Sequence, residues 1–135
     1  MQQHDTLLST AIAFHGHLGP YLVLGLRAGL HANQVLGKEP MQTKAIIKTH
    51  SAPPQSCFAD GVQLTTGCTL GKGNISLIDA EGLSVHFQQN DKSITCILKA
   101  EIIAEMSSLP QKEEAWEAFA KKLYTQPIEE LFDMK

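Results

Sequence analysis

Two short segments of this 135-residue chain contain residues whose types and spacing could do chemistry. The first segment reads FHGHLGPY and places His15 and His17 two residues apart, in a stretch broken by glycine. Two imidazoles at this spacing can bind one metal ion, or one can bind the ion while the other supports it. A histidine pair beside a helix start can equally cap or pack, so the pair alone does not identify a metal site.

The second segment reads PPQSCFADGVQLTTGCTLGKGN and contains Cys57 and Cys68. Cysteine thiolates are good zinc ligands, and a helix that starts at Cys57 predicts a lowered pKa for its thiol. The alternative for any free cysteine is the role of a small buried hydrophobic residue. That alternative suits Cys96, on the apolar face of a predicted strand, better than it suits Cys68, in a loop without apolar periodicity.

A glycine-rich loop at residues 66–74 contains Lys72 between Gly71 and Gly73. Backbone N–H groups and a lysine in such a loop can bind anionic oxygens. The phosphate-binding loop of nucleotide hydrolases is not matched, because no Ser or Thr follows Lys72 and a strand comes next. Nucleotide hydrolysis is therefore disfavoured, whereas binding of a carboxylate or phosphate at Lys72 stays open.

The elements that position these segments follow from apolar spacing and from helix boundaries such as Pro20 and Gly37. The pattern predicts an α+β fold in the order α–α–β–α–β–β–β, followed by a helical tail. The predicted elements are helices at 5–14, 20–36 and 54–67, strands at 44–49, 75–80, 83–89 and 93–99, and a helical tail at 100–132. Gly25 and Gly29 share one helix face and predict close approach of another backbone, inside the subunit or across a dimer.

Composition and charge exclude several classes of protein. The length suits one compact domain, with 43% hydrophobic and 19% charged residues. A net charge of −3 and scattered basic residues argue against broad binding to nucleic acid or anionic membrane. The N-terminal sequence does not read as a secretory signal, and no apolar stretch suits a bilayer span. Three cysteines do not suit a secreted disulfide framework, so we expect a cytoplasmic protein.

Taken together, the two segments resemble the E-subunit family of formylmethanofuran dehydrogenase. The residues that carry the resemblance are Phe14-His15-Gly16-His17-Leu18-Gly19-Pro20-Tyr21 with Gly25, then Cys57, Asp60-Gly61 and Gln63, and finally Thr66-Gly67-Cys68-Thr69-Leu70-Gly71-Lys72-Gly73-Asn74. The similarity covers roughly the first hundred residues. It implies an α+β core domain at residues 1–100 with a small mixed sheet of about four strands, and a helical C-terminal extension at 101–135 packed on it. It also implies an intertwined homodimer and a metal, usually zinc, near the His and Cys motifs.

Three departures from the family pattern limit what the resemblance carries over. Many members have Cys-Pro-Gly where this chain has Gly19-Pro20-Tyr21, so one thiol available to them is absent. Many also have a C-terminal zinc ribbon with paired cysteines, whereas no cysteine follows Lys99 here. The family name refers to a molybdenum or tungsten enzyme, and this chain has no recognisable pterin, iron–sulfur or nucleotide site of its own.

With the resemblance included, the leading hypothesis is a metal-binding protein. Its predicted ligands are His17, Cys57 and Cys68, with His15 as a fourth ligand or as a hydrogen-bond partner of one. Asp60 would orient a ligand, and Gly71, Lys72 and Gly73 would hold an anionic substrate group. Such a protein could assist a molybdenum- or tungsten-type metalloenzyme or could itself be a small metal-dependent enzyme of unassigned substrate.

Two other hypotheses remain from the sequence. One is a non-catalytic assembly or binding subunit, in which the glycine-rich loop and the Gly25/Gly29 face serve association. The other is a thiol redox module, which requires the Cα atoms of Cys57 and Cys68 to lie within about 7 Å of each other.

Overall fold

A computed structural model describes residues 3–135, with side chains from residue 6 onward. The elements are α1 Gln3–His15, α2 Pro20–Leu36, β1 Thr43–Thr49, a short 3-10 helix Gln55–Cys57, α3 Phe58–Thr66, β2 Ile75–Asp79, β3 Leu83–Gln89, β4 Lys92–Leu98, α4 Ala100–Ser107, α5 Glu113–Thr125, α6 Ile128–Leu131 and β5 Phe132–Met134. The predicted α+β class and the order of the first seven elements are confirmed. Among the described residues, no helix is both long and apolar enough to cross a membrane.

The five strands form one mixed sheet in the order β2-β1-β3-β4-β5. The first two strands in sequence, β1 and β2, run parallel, and every other neighbouring pair is antiparallel. Alternate side chains of β1, β3 and β4 are buried, among them Ile47, Val85 and Cys96. This period of two places one face of the sheet against the helices, as expected for a sheet with one covered face.

The C-terminal segment adds a fifth strand that the sequence did not predict. Phe132 of β5 pairs with Leu98 of β4, and its ring packs edge-on against Phe58, with 6.4 Å between the ring centroids. A strand of three residues is too short to show an alternating pattern, which explains the omission. Phe119 and Leu123 of α5 are buried, as predicted, so the tail contributes to the same core. The domain division at residue 100 stays a prediction.

The tightest contact in the fold joins α2 to α3. A Cβ atom added at Gly61 would collide with the carbonyl oxygen of Leu22 and lie 2.5 Å from the amide nitrogen of Leu26. A Cβ at Gly25 would collide with the carbonyl oxygen of Phe58. The glycine face of α2 therefore packs inside the subunit, which was one of the two predicted uses. The contact fixes the start of α3, and hence the adjoining 3-10 helix, against the first turns of α2.

Replacing Gly61 with alanine tests this contact. The new methyl group would meet backbone atoms of α2, which cannot rotate away, so we expect Gly61→Ala to lower the free energy of unfolding by about 3 kcal/mol. Gly71→Ala is the matched control, because no atom lies within 4 Å of its added Cβ, and its effect should stay within about 0.5 kcal/mol. Chemical denaturation of both variants provides the comparison. Equal changes in the two would contradict the packing assigned to α2 and α3.

Candidate functional site

The two sequence segments meet at one cavity, which we call the His–Cys cavity. Its volume is about 250 Å³. Its lining residues are His15, His17, Leu18, Gly19, Pro20, Tyr21, Leu22, Pro53, Pro54, Cys57, Glu113 and Trp116. Three of the four predicted metal ligands, His15, His17 and Cys57, therefore line the same space. The turn between α1 and α2 supplies the histidines, and the 3-10 helix supplies the thiol.

Asp60 holds the imidazole of His15 in a fixed orientation. Nδ1 of His15 lies 2.6 Å from Oδ2 of Asp60, and the His15 side chain is only 10% exposed. A carboxylate accepts hydrogen bonds, so His15 donates through Nδ1–H and leaves Nε2 as the free nitrogen. A carboxylate that fixes a histidine in this way is the arrangement commonly found behind metal-bound imidazoles. Asp60, in the first turn of α3, thus has the orienting position that the sequence predicted.

His17 lies beside His15, with 5.0 Å between the two ring centroids. Its Nε2 atom faces the backbone at Gly19, since a Cβ built there would lie 3.3 Å from that nitrogen. A cysteine at this position, as in many members of the resembled family, would therefore stand next to the His17 imidazole. Glycine leaves that space open toward the cavity.

Cys57 is half-buried at the end of the 3-10 helix, and its thiol does not have the lowered pKa that the sequence predicted. Burial raises its pKa, and the nearby charge of Asp60 raises it further, while a backbone hydrogen bond lowers it in part. The prediction considered only the helix start, whose favourable field is outweighed here by desolvation and by a like charge. The thiol is therefore protonated at neutral pH in the absence of a bound cation.

Cys68 does not lie in this cavity. Its side chain is fully buried in the hydrophobic core, and its sulfur donates a weak hydrogen bond to the carbonyl oxygen of Thr43 at 3.5 Å. The nine residues of α3 separate it from Cys57, a helix length of about 14 Å. Both cysteines cannot then reach one ion, and their separation also exceeds the reach of a disulfide.

The glycine-rich loop forms an exposed turn whose amides are largely used within the protein. Lys72 N–H donates to the carbonyl of Thr69, as does the N–H of Gly73. The Thr69 amide donates to the side chain of Asn74. Gly71 and Lys72 are exposed, and Lys72 Nζ lies 3.1 Å from Thr69 Oγ1. Anion binding here would accordingly depend on the lysine charge rather than on a ring of free amides.

Two cavity residues come from the C-terminal helix α5, and sequence reasoning did not assign them to the site. Trp116 was interpreted only as a docking residue of the tail, and Glu113 as part of a solvated helix face. Both line the His–Cys cavity, and the Trp116 indole is held by a hydrogen bond from Nε1 to the carbonyl of Pro110. Nothing in the local pattern of the tail signals which cavity its first turn will cover.

The donor set fits a zinc-type ion in kind, since two imidazoles and one thiol are preferred zinc ligands. Within the described part of the chain, however, no group of three or more His, Cys, Asp or Glu side chains is arranged to hold an ion. The three donors line one cavity without forming a closed coordination sphere. Binding would require His17 and Cys57 to turn toward the fixed His15.

Comparison with known proteins gives a consistent family relationship. The model of the family described as FmdE, molybdenum formylmethanofuran dehydrogenase operon, matches residues 14–133. The match thus extends beyond the first hundred residues and includes the tail that lines the cavity.

Two individual proteins are similar to this chain. One is a probable S-adenosyl-L-methionine-binding protein of Archaeoglobus fulgidus, 32% identical over 119 residues. That alignment covers 85% of this chain and 31% of the relative, so the chain spans about a third of its length. The other is an FmdE-like protein from Syntrophus aciditrophicus, similar to a component of tungsten formylmethanofuran dehydrogenase, whose crystal structure is known. Its TM-score is 0.67 at 18% identity, covering 98% of this chain and 70% of that one, which supports the shared fold.

The pKa of Cys57 can be tested by thiol alkylation of the metal-free protein. Cys68 and Cys96 are fully buried, so Cys57 is the thiol that iodoacetamide should reach first. We expect its rate to rise with pH through an inflection above that of a peptide thiol, because burial and Asp60 raise the pKa. Asp60→Asn removes the like charge and should shift the inflection to lower pH, whereas Asp91→Asn, on the β3–β4 turn, should not move it. An inflection near pH 7 in the unmodified chain would contradict the raised pKa.

Proposed function

The chain belongs to the FmdE family, and from that premise we propose that it is a metal-binding protein that holds a zinc-type ion in the His–Cys cavity. The proposed ligands are His15, His17 and Cys57. The observation that carries the proposal is their shared lining of one cavity, with Asp60 bound to the far nitrogen of His15. Cys68 is left out of this ligand set, because it lies in the core at the other end of α3.

Three protein ligands would leave a position of the ion open toward the cavity, which is the usual arrangement of catalytic rather than structural zinc sites. Gly19, where many relatives carry a cysteine, supports this reading because it adds no fourth donor beside His17. A zinc-type ion held in this way acts as a Lewis acid toward a small molecule in the cavity.

The residues of the chain itself have distinct tasks in this proposal. Asp60 keeps the proton of His15 on Nδ1, so that Nε2 stays available. Cys57 must lose its proton on binding an ion, and because its pKa is raised, metal affinity should increase as the pH rises. Tyr21 and Trp116 line the cavity with aromatic surface and limit the access of water.

The setting of the site is also part of the proposal. We infer that the protein works in the cytoplasm with its three cysteines free, and that it either assists a molybdenum- or tungsten-type metalloenzyme or acts on a small molecule itself. A homodimer, if it forms, must use surface other than Gly25 and Gly61, which contact each other within one protomer. The ligand named for the Archaeoglobus relative concerns a protein about three times longer and supplies no ligand for this domain.

The metal content of three proteins without a polyhistidine tag tests the ligand set. We expect about one zinc per chain in the unmodified protein, loss of zinc in Cys57→Ala, and retention in Cys68→Ala. The Cys68 variant is the matched control, since it also removes one thiol, and thermal melting shows that each variant is folded. Inductively coupled plasma mass spectrometry after incubation with zinc and desalting gives the ratio.

Retention of zinc in Cys57→Ala together with its loss in a folded Cys68→Ala would overturn the assignment and restore Cys68 as a ligand. Absence of zinc from all three proteins would favour the non-catalytic assembly role. A thiol redox module receives no support from the positions of Cys57 and Cys68 at opposite ends of α3.

A further inference from the structure

We propose that a second cavity, at the C-terminal ends of β1 and β2, binds a small organic molecule that carries an ammonium group. This strand-end cavity has a volume of about 380 Å³, and the residues that define it are Tyr21, His50, Gln55, Asp79, Glu81 and Leu98. The proposal does not depend on metal binding in the His–Cys cavity.

The position of the cavity follows from the sheet. β1 and β2 are parallel neighbours, with Thr49 paired to Asp79, so both strands end at the same edge. His50 directly follows β1 and Asp79 ends β2. A crevice outside the carboxyl ends of parallel strands is a common place for ligands, because the chain leaves the sheet there in different directions.

The charges around the strand-end cavity favour a cation. Its lining contains the carboxylates of Asp79 and Glu81, and no lysine or arginine is among the described residues that line it. Asp79 Oδ1 accepts hydrogen bonds from the amide and hydroxyl groups of Ser51 at 2.9 and 3.0 Å. These bonds lower the pKa of Asp79, so the carboxylate is ionised at neutral pH. An anionic ligand would be repelled by the same groups.

Two polar groups on the cavity wall have no hydrogen-bond partner in the described part of the chain. Tyr21 is 8% exposed and lines both cavities, and its hydroxyl group makes no hydrogen bond to a described residue. Burial raises its pKa, so the group is a neutral phenol that can accept as well as donate. The amide oxygen of Gln55 is also buried and unpaired. Buried polar groups are nearly always partnered, so these two point to a ligand with N–H donors.

The remaining wall selects an organic ligand rather than a bare metal ion. Leu83 and Leu98 are each 4% exposed and, with Ile103, give the cavity an apolar side. A short hydrocarbon part would lie against them while an ammonium group faces Asp79 and Glu81. A metal ion is disfavoured, because the described His, Cys, Asp and Glu side chains form no group that could hold one.

The test is a titration of the full chain, labelled with nitrogen-15, by n-pentylammonium, with 1-pentanol and pentanoate as probes of the same length. We expect saturable amide shifts at residues 50, 79–83 and 98–103 with n-pentylammonium, about tenfold weaker binding of 1-pentanol, and no saturable shifts with pentanoate. Asp79→Asn and Glu81→Gln should each raise the dissociation constant about three- to fivefold. Asp91→Asn, on the exposed β3–β4 turn, is the matched control and should leave it unchanged.

Several outcomes would overturn the proposal. Equal binding of 1-pentanol and n-pentylammonium would show an apolar pocket without charge recognition. Equal effects of Asp91→Asn and Glu81→Gln would show only general attraction of a cation to an acidic protein. Glu81 has no protein hydrogen bond among the described contacts, so its variant separates ligand binding from any loss of the Asp79–Ser51 turn. Repeating the titration after zinc addition shows whether the two cavities act independently, since the cation site should bind whether or not zinc is taken up.

Discussion

The backbone contact between α2 and α3 is the constraint on which the site depends. Gly25 and Gly61 let the two helices approach until a methyl group on either would strike the backbone of the other. Because of that approach, the start of α3 lies against the start of α2. Asp60 in the first turn of α3 then reaches His15, and the adjoining 3-10 helix brings Cys57 to the turn that carries His17. Side chains about 40 residues apart in sequence are thus brought together by a feature that has no side chain.

Tyr21 occupies the centre of the resulting arrangement. It follows Pro20 at the start of α2, it is almost fully buried, and it lines both the His–Cys cavity and the strand-end cavity. The two cavities differ in the groups they offer. One presents two imidazoles and a thiol among aromatic and proline surfaces, and the other presents two carboxylates and unpaired hydrogen-bonding groups. The 3-10 helix separates them as well, with Cys57 facing one cavity and Gln55 facing the other.

Most of the fold could be predicted from the sequence, because its signals are local. Pro20 and Gly37 mark the ends of α2, Gly67 follows α3, and alternating apolar residues identify β3. The features that were missed depend on contacts between distant segments. Cys68 occurs in a polar loop, yet Thr43 and the core around it make it a buried residue. Trp116 has the helical spacing of a packing residue, and only the path of the tail shows that it covers the His–Cys cavity. The spacing of Gly25 predicted a close contact but could not identify α3 as its partner.

X-ray absorption spectroscopy of the zinc-loaded protein tests the central claim most directly, because it counts the ligand atoms around the ion. If His15, His17 and Cys57 are the protein ligands, the spectrum will show one sulfur at about 2.3 Å and nitrogen neighbours at about 2.0–2.1 Å. A sphere of nitrogen and oxygen alone would remove Cys57 from the site. Two sulfur neighbours would mean that Cys68 leaves the core to bind the ion, which would contradict the arrangement of α3 described above.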